Sequence, residues 1–229
     1  AAMIFDQFLL AASVLTRLPV APDAPAAEGT VAEASWAFPA VGAGIGMVAA
    51  IVLFAAASLR LGEASAALLA LAAGGLVTGA LHEDGLADTL DGFGGGRDRE
   101  AKLAIMRDSR CGTYGIIALI FSIGLRAAAL VAIGSPIEAG LALIAAHAAS
   151  RATLPAVMWR LAPARADGLG ALAGKPGLAP VLVAAAVGAF VALGMLGPIR
   201  GLVALVVTAL AAAATALLAK RQIGGYTGD

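Results

Sequence analysis

The chain has 229 residues; 61% are hydrophobic, 13% are charged, and fifteen basic side chains balance fifteen acidic ones. Its mean hydropathy is +0.94. A soluble fold of this length cannot hide so much apolar surface, and zero formal charge gives no bulk attraction to nucleic acid, so a soluble domain and a nucleic-acid binder are both excluded. The fold class that remains is all-α: a polytopic integral membrane helical bundle in one domain, 1–229, with the lipid bilayer as its solvent. Cys111 is the only cysteine, which excludes an intrachain disulfide.

Ala1 and Ala2, ahead of Met3, read as a cloning remnant, and the Asp6-bearing start lacks the basic residues of a cleavable signal peptide. Residues 4–16 are too short to cross a membrane and read as a short N-terminal helix at the interface or packed on the bundle. Residues 20–34 read as a Pro- and Ala-rich loop. Six predicted transmembrane helices follow, near 39–59, 64–81, 112–133, 138–159, 179–197 and 199–219. Alanine and glycine dominate them, as suits helices whose backbones approach closely. With the 82–111 loop placed in the cytoplasm, eleven Lys and Arg fall on the inner side and two, Arg60 and Arg200, on the outer side. The polar segments 82–111, 160–178 and 220–229 then share one face.

Residues 82–115, HEDGLADTLDGFGGGRDREAKLAIMRDSRCGTYG, hold 12 of the 30 formal charges. With residues 80–93 helical, Asp84, Asp88 and Asp91 stand at i, i+4 and i+7 on one stripe, flanked by Glu83. Carboxylates so placed repel one another, and a bound Mg²⁺ or Mn²⁺ relieves that; a solvated acidic loop is the plainer alternative. Gly92, Gly94, Gly95 and Gly96 are expected to break the helix, their N–H groups cradling a phosphate or simply forming a turn. Arg107, Asp108, Ser109 and Arg110 suit bidentate phosphate contacts, or else anchor the following span. Within the spans, His147 and Arg151 lie at i and i+4, able either to reach a substrate phosphate or to pair with a carboxylate of the acidic helix. Arg126 reads as structural or snorkelling. Carboxylates ahead of glycines and arginines give the layout of a phosphoryl-transfer site.

The string 82–119 resembles the signature of the adenosylcobinamide-GDP ribazoletransferase (cobalamin-5′-phosphate synthase) family. LLAASVLTRLPV near the start, FPAVGAGIG at 38–46, HAASRATLP at 147–155, DGLG at 167–170 and IGGYTGD at 223–229 are similar to further family motifs, so the likeness covers nearly the whole chain. The family usually continues past its T-G-D into one more membrane segment, so a C-terminal span is expected to be missing here.

The resemblance implies an Mg²⁺-dependent, multi-pass enzyme of the bacterial inner membrane with its active-site loops facing the cytoplasm, acting late in vitamin B12 biosynthesis. It transfers the cobinamide-phosphate moiety of adenosylcobinamide-GDP to α-ribazole or α-ribazole 5′-phosphate and releases GMP. On that reading Glu83, Asp84, Asp88 and Asp91 hold the metal. Asp84, Asp88, Asp91 and Asp108 are the catalytic candidates, with the base left open among Asp91, Asp108, His82 and Asp229. His82, Gly94, Gly95, Arg107, Ser109, Arg110, Thr113, His147, Arg151, Thr227 and Asp229 are the substrate-binding candidates. A homo-oligomer or complexes with enzymes of the same pathway stay open. A CDP-alcohol phosphotransferase-like phospholipid synthase is the runner-up, although the A-R pair of those enzymes is absent, and a small membrane transporter is the non-enzyme alternative.

Overall fold

The structure, a computed structural model, describes residues 2–20 and 30–229; Ala1 and the 21–29 part of the expected loop lie outside the described residues. The elements are α1 (Ala2–Leu15), α2 (Thr30–Ala34), a 3₁₀ turn (Ser35–Ala37), α3 (Phe38–Ser58), α4 (Glu63–Thr78), α5 (Leu81–Gly95), α6 (Arg99–Ile105), α7 (Thr113–Ile133), α8 (Pro136–Arg160), α9 (Leu169–Leu172), α10 (Leu178–Leu196) and α11 (Pro198–Ile223). The all-α multi-pass expectation holds. Residues 30–58 and helices α7, α8, α10 and α11 are each long and apolar enough to cross a membrane.

The expected second span, 64–81, is shorter than expected and is followed by a sharp bend. Helix α4 has 16 residues, about 24 Å at 1.5 Å per residue, against a hydrocarbon core of roughly 30 Å. Gly79 (φ 64°) and Ala80 (φ 57°) then take successive left-handed conformations, and the chain turns through 91° into α5. A sixth crossing exists only if that bent pair is counted as one. The turn is braced from α1: the Arg17 backbone N–H donates to the Val77 carbonyl at 2.8 Å, and the Arg17 side chain fills the space a Cβ on Gly79 would need.

The centre of the bundle is α8, flanked by α3 and α10. A Cβ on Gly46 would lie 2.7 Å from Ile144 Cα, and Gly42 meets the His147 carbonyl in the same way, so these two glycines let α3 touch the backbone of α8. Gly188 of α10 meets Ala152 on the other side. Ala49, Leu53, Ala70, Ala139 and Leu143 tie α3, α4 and α8 into one apolar cluster. Ala11, Leu15, Phe38, Ile45 and Met158 form a second, under α1. A third cluster, Met106, Ala164 and Ile223 with Phe93 and Leu103 packed on it, sits at the charged face and fastens α5, α6 and the end of α11 together.

A left-handed alanine is strained where glycine is not. Ala80→Gly is therefore expected to leave the melting temperature in detergent unchanged or raised. Ala80→Val is expected to destabilise by about 1–3 kcal/mol; equal melting temperatures for the two variants would contradict the turn as described.

Candidate active site on the charged face

Three polar segments meet on one face of the bundle, as the sequence leads one to expect. Residues 224–229 run beside the 162–170 loop: the Tyr226 N–H donates to Ala162 O at 3.1 Å, and the Ala164 N–H donates to Tyr226 O at 2.7 Å. The Tyr226 hydroxyl donates to Gly170 O at 2.9 Å. Gly224 (φ 78°) ends α11 in the left-handed region, and Gly225 packs on the Ala162 carbonyl where no side chain fits. From α6, Arg99 Nε donates to Ile223 O at 2.9 Å and Nη2 donates to Ala164 O. So held, the segment reaches α5: a Cβ on Gly85 would stand 2.7 Å from the Asp229 carbonyl oxygen.

The acidic helix forms as expected, but its carboxylates divide. Asp91 is buried at 7% exposure, and its two oxygens accept from the Gly112 N–H at 2.7 Å and the Gly115 N–H at 2.9 Å. It caps α7 from another helix, meeting donors that a helix start leaves unpaired. Glu83 accepts from Arg126 at 3.1 Å. Asp84 and Asp88 remain, one turn apart, with Asp229 facing them. Burial, and after it Asp84, Asp229 and Asp91, pushes Asp88 up to about 6, opposed by Arg165. Arg165 stands 3.6 Å from Asp229 and is mostly buried, and its Nη1 has no protein partner.

Two members of the expected four-carboxylate metal set, Glu83 and Asp91, thus already have protein partners. Among the described residues no group of three or more His, Cys, Asp or Glu is arranged to hold an ion. Two carboxylates one turn apart, with the charge on Asp88 disfavoured first by burial and then by its acidic neighbours, still fit a hard cation. Mg²⁺ is commonly held by one or two carboxylates with substrate phosphates and water completing its shell.

Several other expected residues lie elsewhere. Helix α5 runs through Gly92, Gly94 and Gly95 and ends at Gly96, so Gly94 and Gly95 form no phosphate loop. A Cβ on Gly94 would meet the Tyr114 ring at 2.7 Å, and one on Gly95 would meet Ile105 at 3.3 Å; these glycines admit α7 and α6. Arg107 pairs with Asp167. Arg110 pairs with Asp108, and that hydrogen bond holds the Asp108 carboxyl down at about 2, a weak base. Ser109 and Thr113 are exposed beside them, and the Thr227 backbone packs on Gly170. His82, His147 and Arg151 line a separate cavity with Glu83 and Arg126. Arg165 was not among the expected site residues; its position two residues before the DGLG motif is the one signal the sequence offers for it.

Residues 7–229 match the cobalamin-5-phosphate synthase family. The chain is 55% identical over 220 residues to the adenosylcobinamide-GDP ribazoletransferase of Bradyrhizobium diazoefficiens, covering 96% of this chain and 85% of that protein. It is 46% identical to the protein of the same name from Mesorhizobium japonicum, over 99% of this chain and 86% of the relative. A third, from Rhizobium etli, is 45% identical over 96% and 87%. No solved structure matches.

Because Asp91 supplies both acceptors for the start of α7, Asp91→Ala is expected to destabilise the protein by about 2–3 kcal/mol. Asp91→Asn, which keeps one acceptor, should fall between it and the parent. Thermal unfolding in detergent tests this ranking; a full-stability Asp91→Ala protein would remove the capping role.

Proposed function

The chain belongs to the cobalamin-5-phosphate synthase family, and on that premise we propose that it is an adenosylcobinamide-GDP ribazoletransferase. It passes the cobinamide-phosphate moiety of adenosylcobinamide-GDP to a hydroxyl of α-ribazole or α-ribazole 5′-phosphate, and GMP leaves. The observation that carries the reading is the meeting of Asp84, Asp88, Asp229 and Arg165 where α5 and the 224–229 segment touch. The bias of eleven basic residues against two supports a bacterial inner-membrane protein with this face in the cytoplasm.

Asp84 and Asp88 would hold Mg²⁺, which when bound supplies neutralisation of the donor pyrophosphate and of the leaving GMP. Arg165, through its unpartnered Nη1, binds a phosphate oxygen. Arg107 and Arg110 stand at the exposed rim, where exchanging a carboxylate partner for a phosphate costs little because both pairs are solvated. Phosphoryl transfer proceeds through a loose transition state, so the acceptor hydroxyl loses its proton late and needs no strong base. Asp229 is assigned to receive it. Asp91 is excluded from that role by its two backbone donors, and Asp108 by its low basicity.

Purified protein given adenosylcobinamide-GDP and α-ribazole 5′-phosphate is expected to release GMP only with both acceptor and Mg²⁺ present. Asp88→Asn should lower the rate on the order of 100-fold. Acceptor-independent or Mg²⁺-independent release would contradict the proposal.

The raised Asp88 sets a pH dependence. Its folded value lies above its unfolded one, so the proton is held more tightly in the folded state; the penalty of burial and neighbouring charge is absent at low pH, half developed near 6 and complete only well above it. A cation must displace that proton. The Mg²⁺ concentration for half-maximal rate should therefore rise by up to about tenfold for each pH unit below 6 and level off above it. A flat requirement between pH 5 and 7 would show that Asp88 does not take part.

A further inference from the structure

A cavity of about 500 Å³ lies between α4, the start of α5, α7 and α8, and neither Asp84 nor Asp88 lines it. It is polarised along its length. Leu71, Leu130, Ile133 and Leu143 wall the end farther from the charged face, while Thr78, His82, Glu83, His147 and Arg151 stand at the end nearer to it. Its rim residues Arg126, Ala129 and Ile133 of α7 and Ala146 and Ser150 of α8 are exposed. The opening therefore lies between two membrane-spanning helices, at the depth of the bilayer and not at the water-facing surface.

The polar end is short of partners and of negative charge. Arg151 is 8% exposed; its Nη1 donates to Ser150 Oγ at 3.1 Å, and its Nε has no protein partner. His82 Nε2 and His147 Nδ1 are also buried without partners. Two arginines and one glutamate face the space, and Glu83 is already paired with Arg126 at 3.1 Å. One positive charge is left over in apolar surroundings, where an unpaired ion is costly and an anion is favoured.

We propose that this cavity binds an anionic phospholipid of the bilayer, its phosphate against Arg151 and an acyl chain along the leucine wall. The polarity agrees with a lipid of the leaflet on the charged-face side: head toward that face, tail toward the bilayer centre. The lateral opening selects a ligand that arrives through the membrane. A monoanion matches the single unpaired charge.

Native mass spectrometry of the delipidated protein, titrated with dioleoyl-phosphatidylglycerol, dioleoyl-phosphatidylcholine or inorganic phosphate, reads binding without any transfer activity, so the outcome does not depend on the transferase reading. Phosphatidylglycerol should bind at one tight site at least roughly fivefold more strongly than phosphatidylcholine. Arg151→Gln should erase that preference. Ala129→Trp, a bulky residue on the exposed lip, should weaken the tight site with Arg151 intact, and it tests the cavity if Arg151→Gln does not fold. Equal binding of the two lipids, a preference that survives Arg151→Gln, or a tight site that Ala129→Trp leaves unchanged would each overturn the proposal. Displacement of phosphatidylglycerol by inorganic phosphate at equal concentration would instead assign the site to a water-borne anion.

Discussion

Charge cannot be left in hydrocarbon, and the chain places 12 of its 30 charges in 34 consecutive residues directly after an apolar helix. The 91° turn between α4 and α5 answers that constraint. A straight continuation would drive Glu83, Asp84, Asp88 and Asp91 onward along the axis of a span. The turn instead lays α5 across the face of the bundle, where its carboxylates meet water, backbone donors and arginines. Two successive left-handed residues, one of them an alanine, are the local strain that this arrangement requires.

Once α5 lies crosswise, its sides face different neighbours, and the carboxylates take different work. Glu83 turns to Arg126 and the cavity. Asp91 turns to the start of α7 and fixes it. Asp84 and Asp88 stay free of such partners, and the 224–229 segment closes over Gly85 to bring Asp229 and Arg165 to them. Fold and site are coupled through this division. The same helix supplies an anchor for α7, a partner for an intramembrane arginine, and the under-neutralised acidic face on which the proposed function places a cation and a phosphate-bearing substrate.

Much of this was legible in the sequence because it follows from periodicity and solvation. The long apolar runs, the crowding of charge into 82–115 and the sharing of one face by the polar segments depend on chain-local properties, and all appear in the structure. The features that the sequence does not show have a common physical source. The i, i+4, i+7 spacing puts Asp84, Asp88 and Asp91 on one stripe, but it does not show that the Gly112 and Gly115 N–H groups lie opposite only the last of them. The run of glycines reads as a loop because isolated glycine disfavours helix, whereas here α6 and α7 pack where side chains would collide and hold the helix through Gly95. The 64–81 window has the hydropathy of a span, yet its helix ends at Thr78 because Gly79 and Ala80 reverse their backbone sign. Arg165 is not legible as a site residue because its partner, Asp229, lies 64 positions away and comes near only when the 224–229 segment docks on the 162–170 loop.

On the proposed function, Asp84 and Asp88 hold the cation, while Glu83 and Asp91 are withdrawn to protein partners. Mn²⁺ binding, followed by electron paramagnetic resonance on the folded protein in detergent, tests it most directly. Asp84→Asn and Asp88→Asn are each expected to weaken binding, while Glu83→Gln leaves it near the parent value. Loss of binding in Glu83→Gln together with parent-like binding in Asp88→Asn would contradict that division of the carboxylates.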